Sequence, residues 1–449
     1  MRVWSVVLAA LVAAPAAAQH APPPIAVRDT TLANGLQIYV IENHAVPLVS
    51  EGFLVRGGAL AQDSGQAGVP NLYLHTPAIA ERAFHRDLAQ MRGSATVAAQ
   101  QEFVARFIVI PAANANDGLS ALSRVLHNPD FTYDGLKLAR TTVFGELQTT
   151  QAHPEYALHR AVDARLWSTA WGRKDILGDP ITTATATTAT LDAFYRRYYI
   201  PNNAAIVVSG DVSAAAIFRA AQHAFGRWRP GPDPFAAHPV PPIPGPDSRK
   251  AIILIGPVQD VTVVIDWQGP SAGQTSNLTY AAEVFSGLFN DPASRVQLDL
   301  VQSGLFQQLS INYATQQHVG PIEIVGHTTL VALPHALAAL KRELASCAVP
   351  GAFDDDALTA SRQGNRVARA LEMESAVDAA RIFAFWWGNA GANYYAGYAD
   401  HVQAVTAADI TAYVTTYLEQ PYVIGVLGPN DTSGALSSPV QTFATDSVP

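Results

Sequence analysis

The chain has 449 residues, 49% of them apolar and only 14% charged, with a formal net charge of −9. That length exceeds one ordinary core and suits two domains of roughly 200 residues each. The acidic balance argues against a nucleic-acid partner, and a charged fraction well under the usual value of about 25% leaves a surface suited to buried interfaces.

The first residues, MRVWSVVLAALVAAPAAAQ, carry one positive charge, an apolar run from Val3 to Ala14, Pro15, and small residues around Ala18. This is the pattern of a secretory signal peptide over residues 1–18, and it predicts a periplasmic protein. Loss of Arg2 with that segment leaves 27 basic and 37 acidic side chains, a formal charge of −10. No run reaches the roughly 20 apolar residues that span a bilayer, so no membrane span is expected. Residues 19–27, with Pro22 to Pro24, should form an N-terminal arm.

The stretch TTLANGLQIYVIENHAVPLVSEGFLVRGG reads as a hairpin, with a turn at Asn34-Gly35, alternation through Leu36, Ile38 and Val40, and a second turn at Glu42 to Ala45 before another strand. Helical spacing follows over Gly118 to His127, stopped by Asn128-Pro129, and a longer helix is predicted from about Tyr133 towards Gln151. Arg229 to Ser248 is Pro-rich, offers few backbone donors and should lie extended. It separates residues 28–228 from residues 249–432, with 433–449 as a C-terminal tail. The two halves echo each other. Leu191 to Asp211 and Ile410 to Asp431 both run from an aromatic-bearing helix into a strand ending at glycine, with Tyr198 matching Tyr417 and Gly210 matching Gly428. An internal duplication is the economical explanation. A lone Cys347 forms no internal disulfide and suits a small buried residue.

Taken together, the NGLQIYVIENH opening, Gly57-Gly58, Gly68-Val69, Asn128-Pro129, FYRRYYIPNNAAIVVSGDV, the Pro-rich linker, and Ser294-Arg295-Val296 followed by Gly304-Leu305 resemble the insulinase-type, pitrilysin-like (inverzincin) zinc metallopeptidases. The resemblance covers most of the mature chain. It implies an α+β fold of two homologous domains, each a mostly antiparallel sheet flanked by helices, closing as a clam shell.

The family's His-x-x-Glu-His helix supplies two zinc-binding His and a Glu that polarises the attacking water, while a downstream Glu completes the ligand set. The resemblance places that motif on Asn71-Leu72-Tyr73-Leu74-His75. The first ligand position is therefore Asn71, the general-base position is Leu74, and His75 alone is retained. Glu146, 71 residues after His75, matches the downstream ligand. A neutral Asn is a poor zinc ligand, so metal held by His75 and Glu146 should be weak, and Leu74 cannot accept a proton. Glu81 and His85 follow, but Pro77 should interrupt the helix and ten residues separate His75 from His85, which argues against a relocated site.

In the second half the family carries an Arg and a Tyr that steady substrate. On Ser294 to Ser310 these fall on Leu300 or, counted from the other end, Val301, and on Gln307. His153-Pro154-Glu155 should make a turn. His318 and His327 lie nine apart around Gly320-Pro321 and could sit on neighbouring strands, although without a third ligand surface positions are expected.

The expectation is a non-catalytic subunit that needs no cofactor. It would complete a peptide-binding chamber with a homologue bearing an intact His-x-x-Glu-His, and hold extended peptides by strand addition. A homodimeric peptide-binding or scaffold protein, and a weak metallopeptidase with an unusual site, are the alternatives.

Overall fold

The computed structural model describes residues 26–445, except 64, 77, 78, 128, 130, 174 and 275. The expected signal peptide, most of the arm, and Pro77 and Asn128 as helix-ending positions lie outside the described residues. Strands β1 (Val27–Thr31), β2 (Gln37–Glu42), β3 (Leu48–Arg56), β4 (Ser94–Ala99), β5 (Phe103–Pro111) and β6 (Ala204–Gly210) form one sheet in the order β1-β2-β6-β3-β5-β4. Strands β7 (Lys250–Gly256), β8 (Val261–Gln268), β9 (Gln308–Tyr313), β10 (Pro321–Thr328) and β11 (Val423–Pro429) form a second, in the order β7-β11-β8-β10-β9.

The two sheets share one wiring. Leaving aside the edge strand β1, the late strand lies between two early ones in each: β6 is parallel to β2 and antiparallel to β3, and β11 is parallel to β7 and antiparallel to β8. The remaining pairs are antiparallel. Gly210 and Gly428 fall at the same end of β6 and β11, as the repeat in the sequence requires.

The Asn34-Gly35 turn joins β1 to β2 as an antiparallel hairpin, with Gly35 at φ +90°. The second expected turn connects β2 to β3, but those strands do not pair, because β6 inserts between them. Both β3 and β6 are buried along nearly their whole length, and a hairpin with only local partners could not bury them so.

Helices cover one face of each sheet from within the same half. Those carrying the site are α1 (Val69–His75), α2 (Ile79–Gln90), α3 (Ala115–His127), α4 (Tyr133–Gln151) and α5 (Pro154–Leu166). The opposite faces are covered by exchange. The Ala376–Asn389 helix of the second half lays Ala380, Phe383, Ala384 and Trp387 on Tyr39, Ile41, Leu54 and Val207 of the first sheet. In return α5 lays Leu158, Val162 and Leu166 on Ile252, Val264, Val423 and Leu427 of the second. Glycines allow both approaches: a Cβ on Gly388 would meet the Phe103 ring at 2.1 Å, and one on Gly425 would meet Val162 at 2.5 Å. The segments 28–228 and 249–432 are therefore not self-contained in space. Ser433–Thr445, set apart in the sequence as a tail, is a helix whose Leu436, Val440 and Phe443 join the second core. The Pro-rich segment is also not uniformly extended, since Pro234–Ala237 is a short helix and Phe235 packs on the ring of Tyr198.

The two exchanged seams differ in chemistry. Glu155, His159 and Asp163 follow one another at four-residue steps on α5, a polar stripe on one helix face. Thr262 donates to Glu155 at 2.9 Å, and His159 Nδ1 lies 3.1 Å from Glu323 on β10. Asp163 accepts from the Trp167 indole at 3.0 Å. Burial pushes the Asp163 carboxyl up to about 7 despite that bond, and burial also raises Asp266, whose Oδ1 has no partner. The bond to Glu323 raises His159.

Because Asp163 is raised, its contribution is complete below the unfolded carboxyl value near 4 and is lost as pH rises through about 7. Asp163→Asn keeps the acceptor for Trp167 without the charge. Unfolding midpoints measured from pH 4 to pH 8 should show the variant matching the wild type at the acid end and exceeding it at pH 8; a constant difference across the range would contradict this assignment.

Candidate functional site

Helix α1 starts at Gly68, in the left-handed region at φ 96°, with a proline in its first turn, and residues Val69 to Leu74 are all buried. Four-residue spacing puts Asn71 and His75 on one face of this short helix. Helix α4 is fixed by its Thr132 cap, whose side chain accepts from the Gly135 amide at 3.0 Å, and it packs along α1. That packing brings Glu146 to both side chains. His75 Nε2 stands 3.0 Å from Glu146 Oε1, and the Asn71 amide donates to Glu146 Oε2 at 3.3 Å. Asn71 is buried, while the His75 and Glu146 side chains are 20% and 36% exposed, so the network lies at the edge of solvent.

Behind it the protein is filled. Leu74 lines a cavity of only about 20 Å³, together with Tyr73, Thr76, Glu81, Arg106 and Tyr199. The Tyr73 ring lies tilted against Tyr199 with centroids 4.5 Å apart, tilted against Phe194 at 5.4 Å and edge-on to Phe131 at 5.4 Å, and burial pushes the Tyr73 and Tyr199 phenols upward. Glu81 is held in a two-pronged ion pair by Arg106, at 2.6 and 3.1 Å, with His85 3.6 Å away on the same helix. Such a pair satisfies both charges inside the fold and takes Glu81 out of any metal role.

Sequence reasoning missed Arg106 and Tyr199 as parts of this wall. The available signal was a lone Arg inside the apolar strand FVARFIVIP, a position that requires a buried partner.

The second-half positions lie elsewhere. Leu300 is fully buried in the second core within a π-helical turn, Leu298–Gln302, and Val301 packs against that core. Gln307 is exposed, its backbone amide donating to the His327 carbonyl at 2.7 Å. Among the described residues, no hydrogen bond or ion pair joins them to His75 or Glu146. His318 and His327 are not on neighbouring strands. His318 precedes β10 and bonds Glu102 at 3.0 Å, whereas His327 lies within β10, 3.7 Å from Glu155. His153 stands at the N-cap of α5 without a side-chain cap bond.

Among the described residues, no group of three or more His, Cys, Asp and Glu side chains could hold a metal ion. The donors present do not fit a zinc centre: two are of the right type, the third is an amide that donates to one of them, and Leu74 can neither bind nor move a proton. The arrangement is a closed hydrogen-bonded network. No helix among the described residues is long and apolar enough to cross a membrane.

Residues 185–364 match a family described as the peptidase M16 inactive domain. Over 90% of this chain and 100% of its own, a protease from Helicobacter pylori has the same fold at 17% identity, with a TM-score of 0.77. An M16-like peptidase from Alicyclobacillus acidocaldarius matches with a TM-score of 0.78 at 18% identity, covering 91% of this chain and 100% of that one. A peptidase M16 inactive domain from Pseudomonas fluorescens matches with 0.76 at 16% identity, covering 90% and 98%. No curated protein matches the chain.

The spacing of the network makes a test available. Ligands of a tetrahedral zinc with bonds near 2.0–2.1 Å stand roughly 3.3 Å apart, and here the contacting pairs stand 3.0 and 3.3 Å apart. Asn71→His supplies the missing ligand type. After zinc loading and dialysis, that variant should retain close to one zinc per chain by elemental analysis, where the wild type retains less than about a tenth. It should still cleave no peptide, because Leu74 is unchanged. Equal zinc in both proteins would show that the helices do not hold a ligand geometry.

Proposed function

We propose that this chain, whose residues 185–364 match the peptidase M16 inactive domain and whose His75 network does not fit a zinc centre, is a non-catalytic subunit of the insulinase-type (M16) peptidases acting in the periplasm. It pairs with a homologous, zinc-bearing peptidase and completes the wall of a peptide-binding chamber. The observation that carries this reading is the Asn71–Glu146–His75 network. It occupies the place of a metal centre with a set of mutually satisfied side chains, so the helices that would hold zinc persist as structure.

A second feature supports a role in holding peptide. Strand β4 is an edge of the first sheet, lies beside α1, and has the sequence SATVAA. It has no Pro or charged residue of the kind that blocks edge pairing. An extended peptide or a partner strand could take that edge by main-chain hydrogen bonding, a mode that needs no catalytic side chain. The apolar first residues of the chain supply the route to the periplasm.

Isolation of the protein from its native envelope fraction, without chelator, tests the proposal. A homologous chain carrying His-x-x-Glu-His should accompany it in about equal amount, as expected for a closed pair. Its recovery as a defined dimer of itself, with no such chain, would replace this reading with the scaffold one.

A further inference from the structure

A cavity of about 560 Å³ opens where the two halves meet under the Pro-rich segment. It shares no lining residue with the His75 network or with the small cavity behind it. Its size falls within the range of 300–1,000 Å³ common for small-ligand sites. Three parts of the chain contribute charged or aromatic groups: Arg56 and Glu102 from the first half, Asp233 from the linker, and His318 and Trp387 from the second half.

Of these charged groups Glu102 is ion-paired, whereas among the described residues Asp233 and Arg56 are not. Glu102 is bound by the buried Arg173 guanidinium at 3.0 Å and by His318 Nδ1 at 3.0 Å. Asp233 accepts from the Phe235 amide at 2.9 Å and caps a short helix turn. Trp387 directs its indole N–H to Gln37 at 2.8 Å. Arg56 differs. Its guanidinium lies over the Trp387 ring, 4.7 Å from the centroid, and makes one long hydrogen bond, 3.4 Å, to the Trp387 carbonyl. It forms no ion pair among the described residues. Burial lowers its pKa against the opposing attraction of Tyr39, Glu102 and Asp233, so this cation is held through space rather than by a direct ion pair.

A stacked guanidinium with unused donors is preorganised for the planar, two-pronged recognition of a carboxylate. Charge decides between the available anions. Arg56 and Arg173 balance Glu102 and Asp233, so a monoanion adds one unit of charge to a neutral site. A phosphate would place more negative charge beside two carboxylates. A cationic group on the same ligand would offset even the single charge by approaching Asp233.

We propose that this cavity binds a short zwitterionic peptide, with its C-terminal carboxylate on Arg56 and its ammonium group towards Asp233. The ligand would touch both halves and the segment that links them.

Calorimetric titration of the full chain with trialanine tests this. The wild type should bind with a Kd of about 1 mM or tighter. Trialanine amide, which lacks the carboxylate, should bind at least about tenfold more weakly, and Arg56→Gln should lose the same factor for the free acid but not for the amide. Arg56→Lys, which keeps charge without the fork, should fall between. Asp233→Asn should weaken trialanine but leave N-acetyltrialanine unaffected. If Arg56→Gln does not fold, the comparison of acid with amide on the wild type decides. Equal binding of acid and amide, no binding of trialanine, or tighter binding of inorganic phosphate would each overturn the proposal.

Discussion

Each sheet is closed on one face by a helix from the opposite half, and the rest of the molecule is arranged around that reciprocal cover. The central strands β3, β6, β8 and β11 are buried along nearly their whole length on both faces, so each sheet needs two layers over it. One layer comes from nearby sequence. The other is the Ala376–Asn389 helix for the first sheet and α5 for the second. Neither half holds a closed core by itself, and the glycines at 388 and 425 set how near each helix comes to its borrowed sheet.

The same exchange explains where polar groups collect. The first seam is bound by Phe383 and Trp387 against apolar strands. The second carries the stripe Glu155, His159 and Asp163 against Thr262, Asp266 and Glu323, and there burial raises the Asp163 and Asp266 carboxyls. The cavity around Arg56 is a further consequence. It forms where the first sheet's strand ends, the linker and the covering helix converge without filling the space between them.

At the His75 site three features close the network. Asn71 donates to one oxygen of the Glu146 carboxylate, His75 contacts the other, and Leu74 turns into an aromatic wall. Glu81, the nearest remaining acid, is neutralised by Arg106. A metal needs several donors facing one point with their lone pairs free. These side chains instead spend them on each other.

Much of this was legible in the sequence. Local spacing located α3 and α4 and the hairpin at Asn34-Gly35, because helix and tight-turn signals depend on residues close in the chain. The resemblance singled out Asn71, His75 and Glu146, and the fold brings these three together. The sequence by itself determined that position 74 moves no proton, since no arrangement of neighbours makes a leucine accept one. It also determined the repeat of helix and strand before Gly210 and Gly428. Tertiary structure alone decided that β6 separates β2 from β3, that each half covers the other's sheet, and that the 433–445 segment belongs to a core. It alone paired Arg106 with Glu81 and left Arg56 with no direct ion pair among the described residues. These are matters of which distant surfaces meet, and they follow from burying whole faces of sheets rather than from any run of adjacent residues.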